Sequence, residues 1–229
     1  MKFDFYLFDL DGTLLDLGNI GAHADQILEE TLRRLNVDNI PDINERKELW
    51  FSGGQFQKVL KNWGIIDSDN FWKYYDKTDF EKRQVLLRNK EISLFKDVKT
   101  VLELIHNHKD DKKIAICTNT ANYIVDFFLK YFKIIHYFHE IFSMGDANQE
   151  FAKPSPKGIL TILKKFDFDH HNKKAIMIGD SIHDIRAAKE AKISSCLIDH
   201  QKGNEIKHYK QWKIQPDYVI EYLSELIDL

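Results

Sequence analysis

Apolar and aromatic side chains fill residues 3 to 8 with only Asp4 interrupting, and the polarity then switches abruptly at Asp9-Leu10-Asp11-Gly12-Thr13. So dense and short an apolar run predicts a core strand of an α/β sheet, covered on both faces. After Thr13 the spacing changes. Ile27, Leu28, Thr31, Leu32 and Leu35 recur at three- and four-residue intervals within 21–35, a single apolar stripe that predicts an amphipathic helix. Further helices are predicted over 43–51, 55–63, 70–75 and 79–88, separated by Ser52-Gly53-Gly54 and by 64–69, with no strand in this stretch.

Alternation of strand and helix begins at Leu94. The pattern predicts a helix over 97–108 with Val98, Val101, Leu102 and Ile105 as its stripe, then a buried strand over 113–117. A helix over 123–132 follows, whose Phe127, Phe128, Tyr131 and Phe132 read as packing. Next come a strand over 140–144, a helix over 156–166, a strand over 174–179, a helix over 184–191 and a strand over 195–198, with a short strand and helix in 218–227. Such alternation is the mark of a parallel sheet. The expected fold class is therefore α/β, a discontinuous core of residues 1–15 and 90–229 carrying an inserted helical domain at 16–89.

Composition narrows the function. The 229 residues are 43% hydrophobic and 30% charged, the balance of a compact globular chain. A net charge of −3 with both signs interspersed offers no basic stripe for nucleic acid or anionic lipid, so a small substrate is expected. No apolar run approaches the roughly 18 residues that span a bilayer, and the start does not resemble a signal peptide, so a cytoplasmic location is expected. Cys117 and Cys196 lie in apolar strands, where they read as small buried hydrophobes with neither a disulfide nor a catalytic role. The pairs His106 with His108, His136 with His139, and His170-His171 lack accompanying acids or cysteines, so zinc is not expected.

The chemistry is concentrated at strand ends. In an extended segment alternate side chains share a direction, so Asp9 and Asp11 converge while Leu10 faces away. Two adjacent carboxylates repel unless a cation or a shared proton relieves them. Three later segments join them: Thr118-Asn119 after one strand, Lys153-Pro154 in a loop, and Gly179-Asp180-Ser181 with Asp184 after another. Taken singly, Thr118 reads as a helix cap, Lys153 as a surface lysine, and Asp180 with Asp184 as helix-start acids. Ligands of open parallel sheets bind at the carboxyl ends of the strands, where one crevice would collect all four.

These four segments, in this order, resemble the motifs of the haloacid dehalogenase-like (HAD) hydrolase superfamily, and the helical insert resembles the cap of its subfamily I members, phosphoglycolate phosphatase-like. The resemblance implies a Rossmann-like core with an α-helical cap that closes over the site, and Mg²⁺-dependent hydrolysis of small phosphomonoesters through an aspartyl-phosphate. It implies Asp9 as nucleophile and Asp11 as acid and base. Mg²⁺ would be held by the Asp9 side chain, the Asp11 carbonyl and Asp180, with Asp184 completing the acids at the metal by orienting bound water or Lys153. Thr118 and neighbouring amides, with Asn119, would hold the phosphoryl oxygens, and Lys153 would balance the negative charge. In the insert, Gln55 and Lys58 of the Ser52-Gly53-Gly54-Gln55 turn are the candidates for substrate specificity, with Asp16, Asn19 and His23 behind them. His183 is expected to be an exposed helix-start residue. The family's frequent proline at the return from the cap is missing, since this chain reads Leu94-Phe95-Lys96-Asp97. Asp11 argues against dehalogenation, which does without it, whereas a sugar-phosphate mutase or a silent binding protein would keep the same acids.

Overall fold

A computed structural model describes residues 1–145, 149–169, 171–200 and 208–229. His170 lies outside the described residues. The chain divides into two compact units. The first comprises Met1–Asp16, Leu94–Met144 and Phe151–Leu229, the second Leu17–Ser93 with Gly145–Glu150.

In order, the elements are β1 (Phe5–Phe8), β2 (Leu15–Asp16), α1 (Ile20–Arg34), α2 (Ile43–Phe51), α3 (Phe56–Asn62), α4 (Ser68–Arg88), β3 (Ser93–Leu94), α5 (Val98–His106), β4 (Lys113–Ala121), α6 (Asn122–Tyr131), β5 (Glu140–Met144), α7 (Lys157–Lys165), β6 (Ala175–Gly179), α8 (Ile182–Glu190), β7 (Ser194–Ile198) and β8 (Tyr218–Ile220). Six strands form one sheet in the order β5-β4-β1-β6-β7-β8, and every pairing in it is parallel. β1 lies between β4 and β6, with Phe8 in register with Ile116 on one side and Ile178 on the other. The order reverses there, which opens a crevice at the strands' carboxyl ends.

All four residues of β1 are buried. Phe5 and Leu7 point to one face with Ala115, Cys117, Ala175 and Met177, where Ile159, Ile162 and Leu163 of α7 and Ala187 and Ala188 of α8 cover them. The two-residue period thus puts alternate side chains of three adjacent strands under two helices. Each large apolar side chain buried in this way contributes about 1.5–3 kcal/mol. Cys117 and Cys196 are free and buried, and burial pushes both thiols up to about 12, which makes them inert at neutral pH.

The second unit is helical, around Leu28, Leu32, Leu49, Leu60 and Phe71 with Trp50, Trp63 and Trp72 packed against them. α1, α2 and α4 begin where short polar side chains cap them: the Asn19 side chain accepts from Ala22 N at 3.0 Å, Asp42 from Glu45 N at 3.0 Å, and Asp67 from Asn70 N at 2.9 Å. Here two expectations are corrected. The helices foreseen over 70–75 and 79–88 are one, α4, because nothing between Tyr75 and Asp79 breaks the ladder. Thr78 bonds back to the Tyr74 carbonyl at 2.8 Å, and Phe71, Thr78, Asp79 and Arg83 continue one buried face. The stretch foreseen as free of strands is bounded by β2 and β3, which pair with each other and are too short to leave a period in the sequence.

Candidate active site

Three loops of the first unit meet around Lys153. Asp9 follows β1 directly, and its backbone N–H still donates to the Ile178 carbonyl of β6 at 2.9 Å, so the sheet itself fixes where the carboxylate emerges. Gly12, at φ +72°, then turns the chain in a conformation that other residues resist. Lys153 is buried, and its Nζ lies 2.9 Å from Asp9 Oδ1 and 2.5 Å from Asp184 Oδ1. The other oxygen of Asp184 accepts from Ser181 N at 3.1 Å and Ser181 Oγ at 2.6 Å. Asp184 is fully buried, pressed against Gly179, where any β-carbon would collide with its carboxyl. Oxygen atoms of Asp9, Asp180 and Asp184 all lie within 4.8 Å of one another.

One ammonium faces three carboxylates, and the ionisation of the acids reflects it. Burial pushes the Asp9 carboxyl up to about 6 against the pull of Lys153, with Asp184 and Asp11 adding to the rise. Burial, then Asp184 and Asp9, raise Asp180 well above the usual carboxylate range. Burial by itself would lower the Lys153 ammonium, but Asp184 and Asp9 outweigh it and hold the pKa above the ordinary lysine value. An excess of carboxylates of this kind is costly in a crevice, and oxygen donors so clustered suit a hard divalent cation.

The segment after Cys117 ties the loops together. β4 and β5 shift register between Cys117 and Ala121, so Thr118, Asn119 and Thr120 are crowded into a bulge at the mouth of the crevice. Thr118 is buried, and its Oγ1 donates to Thr120 Oγ1 at 3.3 Å. Asn119, expected at the substrate, spends both side-chain amide atoms on the main chain of Lys153: its Nδ2 donates to the Lys153 carbonyl at 3.0 Å, and its Oδ1 accepts from Lys153 N at 2.8 Å. Thr120, which sequence reasoning missed, donates from Oγ1 to Asp11 Oδ2 at 2.7 Å. The alternation that paired Asp9 with Asp11 also puts Thr120 on the side of Thr118, and would have found it.

Other candidates fall elsewhere. Gln55 and Lys58 belong to the second unit and bond to each other, Lys58 Nζ to Gln55 Oε1, at 3.4 Å. Asn19 is a helix cap, and His23 is buried with its Nε2 3.0 Å from Asp79 Oδ1. Asp16 ends β2. His183 is half-buried, not exposed as expected, because α8 begins against the sheet's edge of the crevice, and burial lowers its pKa.

A six-stranded parallel sheet with helices packed on it and an acid cluster at the carboxyl ends of its strands defines a doubly wound α/β protein whose crevice is built for a charged ligand. The family is equally definite: residues 6–198 match the model of the haloacid dehalogenase-like hydrolases, and the chain belongs to that family of enzymes. Among curated proteins it is similar to the pyrophosphatase PpaX of Bacillus mycoides, 26% identical over 232 residues that cover 100% of this chain and 97% of that one. The pyrophosphatase PpaX of Bacillus cereus is 27% identical, again over 100% of this chain and 97% of the relative. Among solved structures, a predicted phosphatase from Clostridium acetobutylicum shares the fold with a TM-score of 0.70 at 16% identity, covering 100% of both chains. The HAD-hydrolase YfnB of Bacillus subtilis, solved bound to magnesium, shares it with a TM-score of 0.61 at 18% identity, over 100% of this chain and 98% of that one.

Proposed function

We propose that the protein is a phosphatase of small phosphorylated metabolites in the cytoplasm, working through an aspartyl-phosphate on Asp9 with Mg²⁺ as its cofactor. The observation that carries this reading is the position of Lys153, shared between Asp9 and Asp184 at 2.9 and 2.5 Å beside Asp180. Phosphoryl transfer asks mainly for positioning and for positive charge beside the transferring oxygens. Lys153 supplies such charge in a fixed place. Asp9 attacks phosphorus, the ester oxygen departs with a proton from Asp11, and water then returns a proton to Asp11 as it cleaves the intermediate. Thr118, whose hydroxyl donates to Thr120 Oγ1 in the free protein, turns that hydrogen to a phosphoryl oxygen when substrate binds.

Asp9, the Asp11 carbonyl and Asp180 would hold Mg²⁺. When bound, the cation neutralises charge on the phosphoryl oxygens and brings the carboxylates and the phosphate together. Asp184 supports the site through Lys153 and Ser181, since its two oxygens are bonded to them. Gln55 and Lys58 are kept as specificity candidates, to be judged by whether their alanine variants reorder substrates.

Full-length similarity to pyrophosphatases favours a second reading with the same residues, in which the leaving group is itself phosphate. Phosphate release from a panel of sugar phosphates, phosphoglycolate, nucleoside monophosphates and inorganic pyrophosphate, with Mg²⁺ or chelator and with Asp9→Asn as control, tests both. Release that needs metal and Asp9 supports the proposal, and the ranking chooses between ester and pyrophosphate. No release from any of them by folded protein with Mg²⁺ rejects it.

A further inference from the structure

We infer that Thr120 is a positioning residue for Asp11: its hydroxyl, anchored in the bulge at the end of β4, holds the carboxyl that protonates the leaving group. The inference rests on the phosphatase reading. Asp11 stands on a turn, beyond the last residue of β1. Thr120 is 109 residues away in the chain, buried, and its Oγ1 donates to Asp11 Oδ2 at 2.7 Å, a well-formed O–H···O hydrogen bond that an oxygen of the carboxyl accepts in either protonation state. A hydroxyl has one hydrogen to give. Thr118 Oγ1 donates to Thr120 Oγ1 at 3.3 Å, so the hydrogen of Thr120 is committed to Asp11 and the two hydroxyls form a directed relay. The Thr120 N–H also points to Thr118 Oγ1 at 3.3 Å, which fixes the relay to the backbone. The register shift between Cys117 and Ala121 is what brings Thr118 and Thr120 so close to the loop of β1.

A general acid acts only from within hydrogen-bond reach of the atom it protonates. In the first half-reaction a carboxylate oxygen of Asp9 forms a bond to phosphorus, the bond from phosphorus to the ester oxygen breaks, and that oxygen keeps the electron pair and takes the proton of Asp11. In the second, water oxygen attacks phosphorus, gives a proton to Asp11, and the aspartyl oxygen leaves as carboxylate. Thr120 keeps its own proton throughout.

Thr120→Val preserves shape and removes the hydroxyl. The test compares kcat/KM for the best alkyl phosphate of the panel with kcat/KM for p-nitrophenyl phosphate, whose leaving group departs without a proton. Because kcat/KM covers the steps up to loss of the leaving group, and the ratio cancels the concentration of active enzyme, a general loss of fold does not move it. We expect the alkyl-to-aryl ratio to fall at least about tenfold in Thr120→Val and to return to within about threefold of wild type in Thr120→Ser, as a displaced general acid requires. The affinity of orthovanadate, measured by calorimetry, stays within about threefold, since an intact phosphoryl pocket keeps its donors. An unchanged ratio in Thr120→Val, a Thr120→Ser as defective as Thr120→Val, or a larger loss of vanadate binding overturns the inference while wild-type activity leaves the phosphatase reading standing. Should Thr120→Val fail to fold, the ratio in Thr120→Ala decides. A wild-type protein that releases no phosphate from any substrate overturns the reading and this inference together.

Discussion

Lys153 is the residue whose loss leaves the most behind. Its partner Asp184 is fully buried, so Lys153→Met would strand a carboxylate in the interior, and removing one member of a buried pair costs about 3–5 kcal/mol. Thermal unfolding should show that loss, and adding Asp184→Asn should recover part of it, because the stranded charge is then gone. If the double variant is no more stable than the single one, the pair is not what holds the loop. Asn119 makes a different prediction from the one its motif suggests. It braces Lys153 through two main-chain hydrogen bonds, so Asn119→Ala should lower kcat through a loosened ammonium, with little change in KM. A large rise in KM with kcat preserved would return Asn119 to the role of a substrate ligand. The loss in stability should be modest, about 1–3 kcal/mol for two such bonds.

Among the elements, β6 and α8 meet at Gly179, and α1 meets α4 at a buried ionic group. Gly179→Ala puts a methyl group where the Asp184 carboxyl sits, so either the start of α8 or the acid must move. Overpacking of this kind costs about 1–3 kcal/mol, and activity should fall further than stability because Asp184 orients Lys153. In the second unit, Asp79 Oδ1 lies 3.0 Å from His23 Nε2 and 2.7 Å from Arg83 Nε, all three buried. Burial favours the neutral acid, yet Arg83 and His23 win and hold the Asp79 pKa below its ordinary 3.8. A carboxyl with a lowered folded pKa stabilises the fold in full above its unfolded value and loses that contribution as pH falls through the folded one. Asp79→Asn should therefore be less stable than wild type at pH 7, and the gap should close as the pH drops below about 3.8. A gap constant over that range would mean the ion pairs contribute nothing net.

At the scale of the whole molecule, Asp9, Asp180 and Asp184 gather around Lys153 among the described residues, and a cation that binds there only in the folded state must stabilise it. Saturating Mg²⁺, at about a hundred times its dissociation constant, should add about 2.7 kcal/mol, seen as a rise in Tm that chelator reverses and Asp180→Asn removes. The Asp9 carboxyl is raised to about 6 chiefly by burial, so if Asp9 holds the cation as proposed, protons compete with Mg²⁺ for it. The Mg²⁺ needed for half the Tm increment should thus increase as the pH falls, with the proton uptake of Asp9 contributing around pH 6. An increment independent of Asp180 would place the cation elsewhere. Across these scales the division between sequence and structure is physical. Periodicity alone determined the alternating core, the helical insert and the strand end that carries Asp9 and Asp11, because burial of one face or two is written locally in the spacing of apolar residues. Motif order pointed to Lys153, Asp180 and Asp184 as neighbours, which their geometry matches, since a parallel sheet collects its strand ends in one crevice. What waited for the tertiary structure was which atom bonds which: Asn119 to the main chain of Lys153, Thr120 to Asp11, His23 to Asp79, and α4 as one unbroken helix. Those contacts join residues far apart in the chain, or depend on a register shift in β4 that no local pattern encodes, so only the packed fold could decide them.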